Sequence, residues 1–241
     1  MSQRIALVTG AARGIGKAIA ERLAAMGHHV IVADLNLEAA QQTAQAIGGS
    51  AGCLDVSSYL ETEAFMAQAY AQHGRLDILV NNAGIIRRGN LLSVSEDDWD
   101  KVIAVNLKGA FNCAKHAAPY MIKGGWGRIV NIVSIAAKTG DITSAPGYGS
   151  SKAGVVNLTK TLARELAPYG ITANAVAPHA IETEMSAQWS EETRRRVLSG
   201  IPLGRLGKPQ EVAAAVAFLV SEEAGFITGA TLDINGGALM D

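Results

Sequence analysis

The sequence predicts an α/β fold, one doubly wound parallel sheet of about seven strands with helices on both faces. Two observations carry this. Strand-like runs at 4–9 (RIALVT), 29–34 (HVIVAD) and 76–81 (LDILVN) are apolar nearly throughout, without the alternation of a half-exposed sheet. Parallel strands covered on both faces read this way. These runs also alternate with longer stretches of helical period, which implies right-handed βαβ crossovers.

Taken in order, 4–9 is a strand, 14–26 a helix, 29–34 a second strand and 37–47 a second helix. Further strands are expected at 50–55, 76–81, 128–132, 171–177 and 231–234, with long helices at 102–121 and 148–169 and another at 212–220. No proline- or serine-rich linker, repeat or low-complexity tract breaks this rhythm, so residues 1–241 are read as one domain, long enough for a substantial core. The irregular stretch 178–207 is rich in Glu, Ser, Thr, Arg and Gly, and is expected to be a lid over a binding site.

Composition excludes several classes. A formal net charge of −1 argues against a nucleic-acid partner, and Arg194, Arg195 and Arg196 stand beside Glu191 and Glu192 as a mixed-charge helix face. No apolar run approaches the roughly 18 residues of a membrane span, and the strand pattern begins almost at the N-terminus, so a cytoplasmic protein is expected. Cys53 and Cys113 read as small, buried, reduced thiols rather than a disulfide. His28, His29, His73 and His116 lack metal-ligand spacing, and no metal is expected.

The first strand runs into LVTGAARGIGKAIA, with Gly10, Gly14 and Gly16 where strand becomes helix. Glycines there let backbone approach a pyrophosphate, and the helix start offers free N–H groups with a positive dipole end. Any tight βα turn favours glycine; a strand before, a helix after and a place in the first βαβ unit strengthen the Rossmann-like dinucleotide reading. Asp34 ends the second strand, 18 residues after Gly16, where a carboxylate accepts hydrogen bonds from an adenosine ribose and repels a 2′-phosphate. Its plainer use would be to cap the helix at Leu37. Arg13 pulls the other way, since a guanidinium can hold a 2′-phosphate. NAD is expected ahead of NADP.

Thr9-Gly10-x-x-x-Gly14-x-Gly16, Asn81-Asn82-Ala83-Gly84, Asn106, Ser134 and Tyr148-x-x-x-Lys152, in this order over nearly the whole chain, resemble the short-chain dehydrogenase/reductase family. The resemblance implies a catalytic set of Asn106, Ser134, Tyr148 and Lys152. It implies a cofactor held by Gly10, Arg13, Gly14, Ile15 and Gly16, with Asp34 and Leu35 at the ribose and Asp55 and Val56 by the adenine. Asn81, Asn82, Ala83 and Gly84 would line it after the fourth strand, and Pro178, Ile181 and Thr183 would meet its nicotinamide end. Lys152 would hold the nicotinamide ribose, and Asn106 a relay water. A homotetramer pairing the two long helices is implied as well.

Tyr148 and Lys152, four apart, share a helix face. A free phenol titrates near pH 10; a neighbouring ammonium favours its phenolate, which can take a proton from a secondary alcohol and return it to the alkoxide of a ketone. Ser134 can hydrogen-bond the substrate oxygen. Singly, each residue has a structural use: a lysine stem over a ring, a turn-capping serine. Together and in family order they read as catalytic.

Two departures bear on the substrate. Where the family usually has Pro-Gly after the sixth strand, this chain has Pro178-His179, which reads first as a structural variant and second as an imidazole by the pocket that meets substrate or a proton relay. Arg87 and Arg88 follow the cofactor-lining segment, and a paired guanidinium could grip a carboxylate, sulfonate or phosphate. The arginines resemble sugar-acid dehydrogenases of the family, while the sequence at large resembles its 3-oxoacyl carrier-protein reductases. An anionic sugar or sugar acid touching Arg87, Ser134, Tyr148 and His179 is therefore expected, under a lid bearing Met185, Trp189 and Leu198. The alternative is a 3-oxoacyl-[acyl-carrier-protein] reductase. A non-catalytic dinucleotide-binding regulator has no need of the four catalytic-type residues together, and sugar-nucleotide epimerases, which share the Tyr/Lys pair, are generally longer.

Overall fold

The structure is a computed structural model that describes residues 3–140, 144–187 and 189–240, without the side chain of Met185. A seven-stranded, all-parallel sheet runs in the order β3-β2-β1-β4-β5-β6-β7. Its strands are β1 (Ile5–Thr9), β2 (His29–Asp34), β3 (Ser50–Cys53), β4 (Ile78–Asn81), β5 (Gly127–Ile132), β6 (Ile171–Pro178) and β7 (Thr231–Ile234). Every residue of β1, β4, β5 and β6 is buried, which is why those runs show no alternation.

Helices cover both faces. On one lie α1 (Gly14–Ala25), α2 (Leu37–Ile47) and α10 (Pro209–Leu219), sharing a core with Val8, Val32, Val80 and Val130. On the other lie α3 (Tyr59–His73), α5 (Gly109–Gly124) and α7 (Tyr148–Leu166), around Leu7, Leu79 and Ile129. Side-chain caps set four of the helix starts. Asn36, Ser58, Ser95 and Ser190 each accept a backbone N–H three residues on, capping α2, α3, α4 (Glu96–Ile103) and α9 (Glu191–Ser199). The start of α1 has no side-chain cap and no acid in its first turn.

The sequence-predicted elements recur with shifted ends, since β3 stops at Cys53 and α10 begins at Pro209, and α3 and α9 are added; three further differences are local. β4 begins at Ile78; just ahead of it the Asp77 carboxylate accepts the Ile5 N–H (2.7 Å) and the Asp77 N–H donates to the Ile5 carbonyl (3.0 Å), at the start of the central strand β1. The helix expected at 102–121 is a longer rod in which α4 passes through a π turn (Ala104–Lys108) into α5, with Asn106 inside the wider turn. The helix expected at 148–169 ends at Leu166 and tightens into a 3₁₀ turn, Ala167–Tyr169, ahead of Gly170.

The stretch 178–207 is not structureless. It carries α8 (Glu184–Ala187) and α9, and its ends are stapled by Glu182 N–H to Gly207 O (2.8 Å) and Gly207 N–H to Ala180 O (2.9 Å). Ala180, Ile201 and Leu206 form a small core of their own with Trp189, Val197 and Leu198 packed against it. Among the described residues, no helix is long and apolar enough to cross a membrane.

Candidate active site

From β1 the chain winds outward to β2 and β3, then crosses back to β4 on the other side of β1. The loops after β1 and β4 therefore diverge at a topological switch point, where doubly wound sheets hold their ligands. The two loops are tied together there. Thr9 Oγ1 accepts the N–H groups of Asn82 and Ala83 (both 3.1 Å), and Asn82 Nδ2 donates to the carbonyls of Thr9 (3.0 Å) and Gly10 (2.9 Å).

The glycines are required by close approach. A Cβ on Gly10 would stand 2.8 Å from Ala83 Cα, and one on Gly16 would stand 2.3 Å from Gly10 O and 2.5 Å from Asn82 Nδ2. Gly10 and Gly14 also hold φ of 61° and 56°. With the uncapped start of α1, this is a bare backbone cradle whose N–H groups and dipole end suit a pyrophosphate. A dinucleotide fits these residues.

Next along the strand ends, Asp34 Oδ2 accepts the Ala12 N–H (3.1 Å) and Oδ1 the Asn36 N–H (3.0 Å). The carboxylate is fixed by the glycine turn itself, while the Leu35 side chain is 66% exposed beside it. Asp34 pairs with Cys53 in the sheet register, so the ends of β2 and β3 adjoin. Asp55 Oδ1 is taken by the Ser57 N–H (2.9 Å) and hydroxyl (2.7 Å), and Val56 is buried in the core on the α5 face.

At the other end a cavity of about 530 Å³ opens between the loops after β1, β4, β5 and β6. Among the sequence-predicted residues it brings together Arg13, Gly14, Ile15, Gly16, Asn82, Gly84, Ser134, Tyr148, Lys152, Pro178, His179, Ile181 and Thr183. Gly10, Asp34, Leu35, Asp55, Val56, Ala83, Arg87 and Asn106 are outside its lining. Ile85, Ile86, Ile132, Val133, Ala180 and Trp189 make an apolar wall; Arg88, which the sequence paired with Arg87, lines it too, as do Glu184 and Ser186, which the motifs did not single out. Glu184 pairs with Arg13 across 171 positions of sequence (2.9 Å), a separation no local pattern reports.

Lys152 is only 5% exposed, donates from Nζ to the Ile132 carbonyl (2.8 Å), and lies 5.8 Å from the Tyr148 ring centroid. Burial pulls its pKa down to about 8. Ser134 Oγ accepts the Ala136 N–H (3.2 Å), which holds the side chain at the end of β5. Asn106 touches a different set: Oδ1 accepts the Ile85 N–H (2.8 Å), and Nδ2 donates to Ile85 O (2.9 Å) and Ser151 Oγ (3.1 Å). Ser151 Oγ donates in turn to Tyr148 O (2.6 Å), so Asn106 joins the β4 loop to the first turn of α7. Gly84 sits between, where an added Cβ would be 3.3 Å from Asn106 Oδ1 and 3.4 Å from Lys152 Nζ.

His179 has an ordinary φ, since no described non-glycine residue has a positive one, and its backbone N–H donates to Ile234 O (3.0 Å). The half-buried ring has its pKa lowered by desolvation, favouring neutral imidazole. Arg87 is not poised over the cavity as an anion grip. Its Nε donates to Asp98 Oδ1 (2.7 Å) on α4, and its carbonyl accepts the Ala145 N–H (2.7 Å). Among the described residues, no group of three or more His, Cys, Asp or Glu side chains could hold a metal ion.

Such an arrangement places a hydroxyl, a phenol and a buried ammonium at one end of a dinucleotide-shaped groove, which suits proton transfer at an oxygen beside a nicotinamide ring. The comparisons agree. A family model described as enoyl-(acyl carrier protein) reductase matches residues 10–238. The 3-oxoacyl-[acyl-carrier-protein] reductase of Salmonella typhimurium is 44% identical over 239 residues, covering 98% of each chain. Those of Thermotoga maritima and Staphylococcus aureus are each 43% identical, over 242 and 244 residues, again at 98% of each chain. The chain belongs to the short-chain dehydrogenase/reductase family, and is an oxidoreductase of CH–OH groups that binds a nicotinamide dinucleotide.

Proposed function

We propose that the chain interconverts the ketone of a 3-oxoacyl thioester and the matching secondary alcohol, with NAD(H) as its preferred cofactor. The observation that carries the reaction is the convergence of Ser134, Tyr148 and Lys152 on one cavity with an apolar wall. The cofactor, when bound, supplies the hydride. Ser134 holds the substrate oxygen by its hydroxyl, and Tyr148 delivers the proton that the forming alkoxide needs. The ammonium of Lys152 favours the phenolate left behind. Asn106 keeps the β4 loop and the first turn of α7 in register, and by the family resemblance holds a relay water.

Gly10, Gly14, Ile15 and Gly16 would hold the pyrophosphate, Asn82, Ala83 and Gly84 the middle of the cofactor, and Pro178, Ile181 and Thr183 its nicotinamide end. Asp34 and Leu35 would meet the adenosine ribose. Val56 would support the adenine site from below, and Asp55 would reach it with its second carboxylate oxygen. The NAD preference rests on the Asp34 carboxylate, which the Ala12 and Asn36 N–H groups fix in place.

The thioester reading is supported by the relatives' names and by Ile85, Ile86, Val133, Ala180 and Trp189, which suit an acyl chain. Residues 178–207 would close over it as a lid. One observation favours the sugar-acid reading instead: Arg88 lines the cavity. The enzyme is proposed to be a cytoplasmic homotetramer; its Cys113 thiol is free and buried as expected, whereas the free Cys53, at the end of β3, is exposed and not buried.

The test is a panel of an acetoacetyl thioester, sugar acids and polyols, followed by NADH and NADPH absorbance in parallel. Turnover of the thioester is expected, with Tyr148→Phe lowering kcat about 10²- to 10⁴-fold while NADH still binds. Turnover of sugar acids alone, with KM raised by Arg88→Ala, would replace the substrate reading. Full activity in Tyr148→Phe would overturn the mechanism.

A further inference from the structure

Arg13 Nη1 lies 2.9 Å from Glu184 Oε2, with the side chains 78% and 71% exposed. The pair joins the glycine turn after β1 to the first helix after β6, and both partners line the cavity. The neighbouring residues meet as well, since a Cβ on Gly14 would be 3.8 Å from Thr183 Cγ2. Arg13 also stands next to Ala12, whose N–H fixes Asp34. Asp34 has no ion-pair partner among the described residues. The turn's guanidinium is thus directed to Glu184 and not to the carboxylate at the end of β2.

We propose that Glu184 is a cofactor-specificity residue: it holds Arg13 away from the adenosine ribose, so that a 2′-phosphate meets the Asp34 carboxylate with no guanidinium to receive it. The proposal rests on the reading of Asp34 as the ribose-facing group. Glu184 touches neither ribose nor phosphate in this account and acts only through Arg13. An exposed ion pair contributes at most about a fivefold effect, so Glu184 adjusts the preference that Asp34 sets.

Binding to the cofactor-free protein tests this without turnover. NADH and NADPH are titrated by fluorescence, and ADP-ribose with and without a 2′-phosphate by calorimetry. The variants are E184Q, R13A, the double variant and D34A. E184Q is expected to raise affinity for the 2′-phosphorylated member of each pair about three- to fivefold relative to its partner. That gain is expected to vanish in R13A/E184Q. An equal gain for both members would mean that Glu184 acts only as a general negative charge, and would overturn the proposal. So would a selective gain that survives the loss of Arg13. D34A separates the underlying reading: an unmoved preference there would remove the ribose role of Asp34, whatever E184Q shows. Glu184 is exposed and Gln has the same shape, so matching melting curves establish that the variants are folded.

Discussion

Lys152 shows how one buried charge leaves a mark on the whole stability curve. Its ammonium is nearly enclosed, and burial lowers its pKa from 10.5 to about 8. A displacement of that size corresponds to roughly 3 kcal/mol between the two protonation states. The unfolded chain binds a proton at this lysine up to about pH 10.5, whereas the folded chain releases it near 8. Between those values the unfolded state holds more protons, so this group makes folding more favourable as pH rises. Cys113 opposes it higher up: burial raises its thiol from 9.0 to about 12, so over that window the unfolded state loses a proton that the folded state keeps. The unfolding free energy of wild type minus that of Lys152→Met, from urea titrations, is therefore expected to climb between pH 8 and 10. A flat difference would mean that the lysine is not buried as a charge. Residues of this kind were legible in sequence as a motif, and their burial was not. Arg87 shows the converse, since its partner Asp98 lies on the part of α4 that precedes the helix expected at 102–121.

At the scale of elements, the turn from β1 to α1 was readable because glycine is the only residue that allows such approach. The structure adds which glycines are bound by contact. Gly16→Ala would drive a methyl into Gly10 O and the Asn82 amide, the group that ties the two switch-point loops. We expect it to cost about 1–3 kcal/mol of stability and to weaken NADH binding at least tenfold, read by urea unfolding and fluorescence. Gly124→Ala, with nothing within 4 Å of the added methyl and an ordinary φ inside α5, is the control. It should be neutral or stabilise by about 0.5–1 kcal/mol. Equal losses in both would mean that the turn is no tighter than a helix end. The π turn at Ala104–Lys108 was invisible in advance, because its sequence AVNLK has ordinary helical period. Its register follows from tertiary bonds of Asn106 to Ile85 and Ser151, which no local pattern encodes.

For the whole molecule, the apolar runs announced a covered parallel sheet, and the order β3-β2-β1-β4-β5-β6-β7 follows from right-handed crossovers on either side of β1. What covers the outer surface is a separate matter: exposed apolar residues are spread over the described surface, and two groups of them bear on association. One is the β7 edge, where Phe218 (43%), Leu232 (38%) and Phe226 (fully exposed) lie near an unpaired strand. The other is the α3/α5 side, with Phe111 at 44%, Tyr59 at 39% and Leu60 at 74%. Contiguous apolar patches mark association sites, and an uncovered strand edge invites a second copy. The proposed tetramer has dihedral symmetry when each of these two groups pairs with its own copy about a two-fold axis. Light scattering on the eluted protein should then give four times the mass of one chain. Phe226→Asp and Phe111→Asp, each cutting one interface, should each give half that mass, and the double variant a single chain with unchanged circular dichroism. A wild-type protein that runs as a monomer at tens of micromolar would remove the tetramer. A single variant that alone yields monomer would mean that both patches belong to one interface.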